Sequence, residues 1–272
     1  MKSFVCITGA TGGLGRAFAA ECASRGWDLF LTDLGEEQLS DLACGLSSTY
    51  GIEVLHGVCD LTNPESRLKL FQRIKDENLR FWSLINIAGV DYEGYFSEKT
   101  REQIRTILRI NIEANLEMTH AVLEARDESR PFRLINTSSL ASFYPMPVKA
   151  TYAASKRFLL DFSLALREEL RRIGGTVTVL CPAGLPTTER ALRGIAAQGL
   201  MGRITTKNVG YVAAKTIDHA LKGHSVYIPG AVNRLLKFLG GIIPSTFVSR
   251  LIGMRWGELS PEGKGRFVRT PC

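Results

Sequence analysis

The two residues best placed to do chemistry in this sequence are Tyr152 and Lys156, four positions apart. On a helix this spacing places both side chains on one face, about one turn apart. A phenol has a pKa near ~10, and a neighbouring ammonium favours the phenolate and lowers that pKa. The pair therefore predicts a general acid/base, although the same spacing is also typical of an ordinary solvated helix.

A glycine-rich turn near the N-terminus predicts a phosphate-binding loop. It follows the apolar run Phe4–Thr8, which predicts a buried strand, and precedes a predicted helix over 16–25. Glycines let the backbone approach a pyrophosphate, and a helix N-terminus offers free N–H groups. A glycine turn that binds nothing is the alternative. The residues assigned to the loop are Gly9, Thr11, Gly12, Gly13, Leu14 and Gly15.

Two acidic residues follow at the ends of the next predicted strands, over 27–33 and 52–58. Asp33 lies about ~20 residues beyond the glycines, where a carboxylate can bind the adenosine ribose hydroxyls and would repel a 2′-phosphate. No basic residue directly follows it, which favours NAD over NADP. Asp60 could meet the adenine amine. Asp33 could instead be a loop residue or the N-cap of the helix over 36–46. Asp60 could also start the next helix through Thr62, Asn63 and Pro64, which is compatible with a contact to the adenine.

Polar and small residues also follow the predicted strands over 81–87, 132–137 and Thr176–Leu180. Ser139 comes just after the fifth strand. Asn111 lies within a predicted long amphipathic helix over 100–126, where a buried amide needs a partner. The other strand-end residues assigned to the cofactor are Leu34, Leu61, Asn86, Ala88, Gly89, Pro182, Ala183, Leu185 and Thr187.

Strands alternate with helices from residue 4 to residue 228. This pattern predicts an α/β fold, a Rossmann-type doubly wound parallel sheet of seven strands with helices on both faces. Such sheets bind ligands at the carboxyl ends of their strands, which is where the candidate residues fall. We expect one domain over 1–230, with substrate-covering helices over about 186–222, and an apolar, basic extension over 231–272.

The composition limits the partners. The 272 residues carry a formal charge of +7, but Lys and Arg are scattered until the tail, so no nucleic-acid partner is predicted. Six cysteines without a Cys-x-x-Cys pair suit a reducing cytoplasm, with Cys6, Cys59 and Cys181 as core residues. The four histidines lack metal-ligand spacing, so no metal site is expected. The apolar run from Phe4 leaves no room for a targeting segment.

The sequence resembles the short-chain dehydrogenase/reductase family over about residues 3–230. The resemblance depends on the glycine loop, on an Asn-x-Ala-Gly turn and above all on the Ser, Tyr and Lys spacing. The matching residues are Thr8, Gly9, Gly13, Gly15, Asn86, Ala88, Gly89, Asn111, Ser139, Tyr152, Lys156, Pro182 and Thr187.

Three features depart from the family's pattern. Ile87 replaces an Asn that would brace its turn, and Ala183 replaces a more permissive Gly. Gly12 and Gly15 also fit the loop of the longer family members that act on nucleotide sugars, although the chain length and the Ser139–Tyr152 spacing favour the shorter subfamily.

The resemblance implies hydride transfer between a nicotinamide and a carbinol or carbonyl carbon. Tyr152 would be the general acid/base, and Lys156 would lower its pKa and hold the nicotinamide ribose. Ser139 would hydrogen-bond the substrate oxygen. Asn111 would hold a water that links Lys156 to solvent.

The substrate is predicted to be hydrophobic, and a hydroxysteroid is favoured over a 3-oxoacyl thioester reduced with NADPH. Sensing of NAD(H) without turnover is a third possibility. The expected pocket residues are apolar or aromatic: Tyr92, Tyr95, Phe96, Phe143, Tyr144, Met146, Leu192, Ile195, Leu200 and Met201.

Two segments have apolar surface beyond what one core needs. The helix carrying Tyr152 continues to Arg172 with apolar residues on two sides, which predicts a homodimer or homotetramer, or else a helix inside one large monomer. The tail over 230–256 could wrap a neighbouring subunit, close the substrate pocket or lie on a membrane surface. Its apolar runs are short and broken, which favours subunit or pocket packing over the membrane.

Overall fold

A seven-stranded, entirely parallel sheet forms the centre of the molecule, with the strand order β3-β2-β1-β4-β5-β6-β7. The computed structural model describes residues 2–187, 189–197 and 199–257. The strands are β1 Phe4–Thr8, β2 Leu29–Asp33, β3 Val54–Val58, β4 Phe81–Asn86, β5 Arg133–Thr137, β6 Thr176–Leu180 and β7 Val226–Tyr227.

Helices connect these strands and cover both faces of the sheet. In the described part of the chain, short 3₁₀ turns occupy Phe96–Glu98, Leu140–Phe143 and Arg171–Ile173. The α-helices are α1 Gly13–Ser24, α2 Glu36–Tyr50, α3 Pro64–Asp76, α4 Arg101–Leu108, α5 Asn115–Glu124, α6 Ala150–Leu170, α7 Glu189–Ala197, α8 Gly199–Thr205, α9 Val209–Leu221, α10 Ala231–Ile242 and α11 Ser245–Gly257.

The strands read as continuous apolar runs because both faces of a parallel sheet are buried. All five residues of β1 and all six of β4 are buried. One core packs α1, α2 and α9 against the sheet, and a second core packs α3, α5 and α6 on the opposite face. The predicted doubly wound α/β fold is thereby confirmed.

The direction of winding reverses between β1 and β4. The first three strands step outward from β1 in one direction, and β4 to β7 step outward in the other. Thr8 at the end of β1 is level with Thr32 on one side and Asn86 on the other. A crevice opens at such a reversal, and it is the expected ligand site of an open α/β sheet.

The predicted helix over 100–126 is present but divided. A π-helical turn, Arg109–Ala114, separates α4 from α5. The extra residue of a π turn rotates the helix face that follows, and such turns are frequent at functional sites. Asn111 lies in this turn and is fully buried. Spacing of apolar residues gave no sign of the π turn.

A buried arginine ties this region to α3. The fully buried Arg67 donates from Nε to Glu117 Oε2 at 2.7 Å and from Nη1 to the Leu61 carbonyl at 2.6 Å, and it also pairs with Glu113. One guanidinium thus joins the loop after β3 to the π turn and α5. The sequence held a signal for it, since Arg67 shares the buried face of α3 with Leu70 and Ile74.

None of the described helices is both long and apolar enough to cross a bilayer. Cys6, Cys59 and Cys181 are buried free thiols, as predicted, whereas Cys272 lies outside the described residues.

We expect Arg67→Met to lower the free energy of unfolding by about 2–4 kcal/mol, because charge-assisted hydrogen bonds in a buried network are lost. Urea unfolding measures this loss as a lower urea concentration at the midpoint of the transition, with the m-value unchanged. The control is Lys69→Met on the exposed side of α3, expected within about 0.5 kcal/mol of the parent. Equal effects of the two substitutions would contradict a structural role for the Arg67 network.

Candidate active site

A cleft of about 980 Å³ runs along the carboxyl ends of the strands. Its volume lies in the range of sites for cofactors and drug-sized ligands. The residues assigned to the site from the sequence converge on it from distant parts of the chain. Those that line it are Gly9, Gly12, Gly13, Leu14, Gly15, Asp33, Leu34, Asp60, Leu61, Ala88, Gly89, Ser139, Tyr152, Lys156, Pro182, Ala183, Leu185 and Thr187.

The glycine loop is built for close approach of backbones. A Cβ on Gly15 would lie 2.0 Å from the Gly9 carbonyl oxygen, so only glycine lets α1 begin this close to β1. A Cβ on Gly13 would lie 2.9 Å from the Thr187 carbonyl oxygen, where the loop after β6 crosses above. No side chain caps the start of α1 at Gly12. Its first N–H groups are therefore suited to an anion such as a pyrophosphate.

Asp33 ends β2 at one end of the cleft, and the loop residue Thr11 fixes its carboxylate. Oδ2 accepts hydrogen bonds from the Thr11 backbone N–H at 2.9 Å and from its hydroxyl at 2.6 Å. Oδ1 accepts from the Leu34 N–H at 2.8 Å. Helix α2 is capped by Gly35, which rules out the alternative role of Asp33 as its cap.

Asp60 lines the same end of the cleft and shapes the turn after β3. Its Oδ1 accepts from the Thr62 N–H at 2.8 Å and from the Thr62 hydroxyl at 2.7 Å. The cap of α3 is Asn63, whose Oδ1 accepts from the Glu65 and Ser66 N–H groups, with Pro64 at the first helical position. The alternative in which Asp60 begins the helix is therefore wrong.

Tyr152 and Lys156 lie in the first two turns of α6 at the floor of the cleft, opposite Ser139. Lys156 is buried, and its Nζ donates to the Thr137 carbonyl at 2.8 Å and lies 5.8 Å from the centre of the Tyr152 ring. The Ser138 hydroxyl donates to the Lys156 carbonyl at 2.7 Å and so fixes α6 against the end of β5. The structure brings the predicted Ser, Tyr and Lys together.

Burial dominates the pKa values of this pair. It raises the pKa of Tyr152 to about 12, reinforced by the charge of Asp91, while the side chain of Ser139 acts in the opposite direction. Burial likewise lowers the pKa of Lys156 to about 8, against the opposing charge of Asp91. Desolvation disfavours the charged form of each group, so both are held towards neutrality. The expected lowering of the phenol's pKa by Lys156 is thus not the leading effect here.

The sequence profile of the short chain dehydrogenase family matches residues 3–193, which is more than half of the chain. The chain belongs to this family. Members of the family bind NAD(P), and the uncapped start of α1, the glycine cradle and the length of the cleft fit a dinucleotide.

Curated relatives resemble this chain over about two thirds of its length. An "inactive hydroxysteroid dehydrogenase-like protein 1" of Pongo abelii is 34% identical over 68% of this chain and 56% of its own. A "very-long-chain 3-oxoacyl-CoA reductase" of Laccaria bicolor is 30% identical over 64% and 52%. The chain therefore spans about half the length of these relatives. "Sulfoacetaldehyde reductase 2" of Chromohalobacter salexigens is 33% identical over 71% and 76%.

Solved structures share the fold. A short-chain dehydrogenase from Sphingobium yanoikuyae in complex with NADPH covers 99% of this chain and 98% of its own, with a TM-score of 0.72 and 25% identity. A 7β-hydroxysteroid dehydrogenase covers 92% of this chain and 96% of its own, with a TM-score of 0.81 and 22% identity, which indicates the fold alone.

Asn86 does not line the cleft. Its amide donates to Asn136 Oδ1 at 3.0 Å and Thr119 Oγ1 at 3.2 Å inside the second core. The turn that follows is braced by the Thr8 hydroxyl, which accepts from the N–H groups of Ile87 at 3.1 Å and Ala88 at 3.3 Å. Backbone bonds to Thr8 therefore hold the turn in which Ile87 departs from the family pattern.

Asn111 is fully buried and clamps two elements together. Its Oδ1 accepts from the Val90 N–H at 2.9 Å, and its amide donates to the Val90 carbonyl and the Ser155 hydroxyl, each at 3.0 Å. Both amide hydrogens are thus used within the protein. The role of Asn111 in holding a water stays a prediction.

The outer wall of the cleft differs from the sequence-based expectation. Leu192 and Leu200 are exposed and do not line the cleft. The side chain of Met201 lies outside the described part of the structure. Of the expected aromatic loops, only Tyr144 and its neighbour Met146 contribute to the wall. Helices α10 and α11 supply the rest of this wall. Their lining residues are Leu236, Leu239, Gly240, Val248, Leu251 and Ile252, with Ile243 between the helices.

An ion pair beside Tyr152 was not anticipated. Lys149 Nζ lies 2.6 Å from Asp91 Oδ2 and 3.7 Å from Glu93 Oε2, and 5.8 Å from the centre of the Tyr152 ring. Asp91 and Lys149 both line the cleft. They are far apart in sequence and follow no spacing rule, so only the fold could pair them.

We expect Asp91→Asn to lower the pKa of Tyr152, because it removes a negative charge that disfavours the phenolate. Tyrosinate absorbance can be titrated for Asp91→Asn with and without Tyr152→Phe, and the difference reports the single phenol. The matched control is Glu93→Gln, which also removes an acidic partner of Lys149. An unchanged or higher Tyr152 pKa in Asp91→Asn would show that this charge does not govern the phenol.

Proposed function

We propose that the chain is an NAD(P)-dependent oxidoreductase that interconverts a ketone and a secondary alcohol on a hydrophobic substrate. The observation that carries the proposal is the convergence of Ser139, Tyr152 and Lys156 in one cleft with an apolar outer wall. A redox reaction at a carbon–oxygen bond needs one group that exchanges a proton with the oxygen, and the phenol of Tyr152 suits that task. A nicotinamide cofactor held in the cleft would supply or accept the hydride.

Each residue has a distinct role in this mechanism. The phenol of Tyr152 donates a proton to the substrate oxygen during reduction and accepts one during oxidation. The Ser139 hydroxyl hydrogen-bonds the same oxygen as charge develops on it. Lys156, anchored on the Thr137 carbonyl, faces Gly89, where an added Cβ would lie only 3.0 Å from Nζ. This packing holds the ammonium against the floor of the cleft.

The proton state of Tyr152 favours reduction. With its pKa raised to about 12, the phenol is protonated at neutral pH, which is the state that reduction requires of the proton donor. In the direction of oxidation the same residue must first ionise, which costs free energy at neutral pH. We therefore propose that ketone reduction is the faster direction near neutrality and that oxidation accelerates as the pH rises.

The preferred cofactor is proposed to be NAD. The Asp33 carboxylate is fixed by Thr11 and Leu34 at the end of the cleft, where it suits ribose hydroxyls and repels a 2′-phosphate. Arg16, beside it, donates to the Thr11 carbonyl at 2.8 Å. The Sphingobium structure is described with NADPH, so the choice needs a direct test.

We expect Asp33→Asn to narrow the preference for NADH over NADPH by roughly five- to tenfold, since one screened charge at about 4 Å is worth on the order of 1 kcal/mol. Asparagine keeps an acceptor for the Thr11 N–H, so the loop keeps this hydrogen bond. Binding constants for the two dinucleotides from fluorescence titration measure the ratio. Asp28→Asn, at the opposite end of the same strand region, is the control. Tighter NADPH binding by the parent chain would refute the NAD proposal.

The substrate is proposed to be a bulky lipophilic ketone, with a hydroxysteroid-like compound favoured. The wall formed by Tyr144, Met146 and helices α10 and α11 supports an apolar substrate. A 3-oxoacyl thioester is the second candidate, because curated relatives from Laccaria bicolor and Anas platyrhynchos carry that name. A third possibility is that the chain has little or no turnover, since similar proteins are named inactive.

A panel of ketosteroids, 3-oxoacyl thioesters and sugars, each assayed with NADH and NADPH, tests this proposal. We expect turnover with a lipophilic ketone, and a loss of roughly a hundredfold or more in Tyr152→Phe, because the proton donor is removed. Tyr50→Phe, at the exposed end of α2, is the matched control with unchanged turnover.

Binding of NADH to Tyr152→Phe should remain close to that of the parent chain. Near-normal turnover in Tyr152→Phe would overturn the mechanism, whereas tight NADH binding by the parent chain without turnover on the whole panel would favour a sensor.

The oligomeric state remains a proposal of a homodimer or homotetramer. On α6, Leu159 and Leu160 are buried, whereas Phe158 and Leu164 are partly exposed and the ring of Phe158 stacks on Phe162. This outer face of α6 supports a subunit contact. The molecular mass of the protein in solution would show whether it is a monomer, a dimer or a tetramer. The free thiols of the described residues suit a reducing compartment such as the cytoplasm.

A further inference from the structure

Helices α10 and α11 carry several large apolar side chains that are exposed. On α10 these recur at three- to four-residue spacing, so they form one stripe along the helix. Phe238 and Ile242 are 62% and 67% exposed, and Phe247 and Met254 extend the surface on α11. We call this surface, which also includes Leu235, the α10–α11 face. Large exposed apolar surfaces mark interaction sites rather than ordinary solvated surface.

The charges on the same segment have one sign. Arg234, Lys237 and Arg250 are exposed on α10 and α11, and no Asp or Glu occurs between residues 229 and 257. Elsewhere in the chain many exposed cations are paired with carboxylates, for example Arg157 with Asp161 on α6. An apolar face flanked by cations without acidic neighbours is complementary to a surface that is apolar inside and anionic outside.

A second copy of the chain fits this face poorly. A two-fold contact would bring the same patch of each copy together, and with it cations of like charge without any carboxylate from the segment to pair with them. The lengths also matter, because α10 has 12 residues and spans only about 18 Å. Such a helix is too short to cross a bilayer and suits a position parallel to its surface.

The position of the two helices links this face to the cleft. Their inner sides contribute Leu236, Gly240, Val248 and Ile252 to the cleft wall. Gly240 packs so closely on Tyr144 that an added Cβ would lie 2.0 Å from the ring. The same pair of helices is thus cleft wall on one side and exposed apolar surface on the other.

We propose that the α10–α11 face docks on an anionic lipid surface, with its apolar side chains in the acyl–headgroup boundary and its cations on the phosphates and carboxylates of the headgroups. The cleft wall then lies against the bilayer, so a lipophilic substrate reaches the cleft from the membrane. This last step rests on the proposed function, whereas docking itself requires no turnover.

Sedimentation of the full chain with lipid vesicles tests the docking. We expect binding to vesicles of phosphatidylcholine and phosphatidylserine in equal parts, weaker binding to phosphatidylcholine alone, and a fall in binding with added salt. Phe238→Asp with Ile242→Asp should weaken binding by roughly tenfold or more, since burial of one large apolar side chain is worth at least that factor. Lys237→Glu with Arg250→Glu should weaken binding to the anionic vesicles only.

The control is Leu68→Asp, which places one of these two added charges at a side chain that is 63% exposed on α3, and it should leave binding unchanged. Circular dichroism and thermal unfolding verify that each variant folds. Equal binding by the parent chain and the Phe238 and Ile242 variant would overturn the proposal. So would a concentration-dependent dimer that the same variant abolishes while vesicle binding is absent. Because the assay uses no substrate, its outcome is independent of the proposed reaction.

Discussion

The burial of Lys156 is the constraint on which the rest of the site depends. An ammonium removed from water is costly unless it is hydrogen-bonded, and its contact with the Thr137 carbonyl at the end of β5 meets that need. A Cβ at Gly89 would lie only 3.0 Å from Nζ, so Lys156 packs tightly on this glycine, and the Ser138 hydroxyl holds the Lys156 backbone. The same burial sets the proton states, with Tyr152 kept as a phenol and the pKa of Lys156 lowered.

The cleft around Tyr152 and Lys156 depends on glycines that let backbone segments at the strand ends pack more closely than side chains would permit. Gly15 lets α1 start against β1, and Gly13 lets the loop after β6 pass above the glycine turn. Arg67 holds the other side, since one guanidinium joins the loop after β3 to the π turn that contains Asn111. Local glycine geometry and the ion pairs of one buried guanidinium together give the cleft fixed walls.

The C-terminal helices show how one segment can meet two demands. Their inner residues complete the apolar wall of the cleft. Their outer residues expose apolar surface next to side chains that are all positively charged. An amphipathic helix on a protein surface ordinarily buries its apolar side and exposes its polar side. Here both sides of α10 are apolar, which explains why the sequence alone left subunit, pocket and membrane packing as alternatives for the tail.

The sequence by itself determined the alternation of strands and helices, the positions of the strand ends, and the Ser139, Tyr152 and Lys156 spacing. These follow from periodicity and from fixed local geometry, which depend only on neighbours along the chain. Tertiary structure alone decided the Asp91–Lys149 pair, the π turn at Asn111, the supply of the cleft wall by α10 and α11 instead of Leu192 and Leu200, and the balance of the pKa values. Each of these depends on burial and on contacts between residues distant in sequence, and no local pattern encodes how much water a side chain loses.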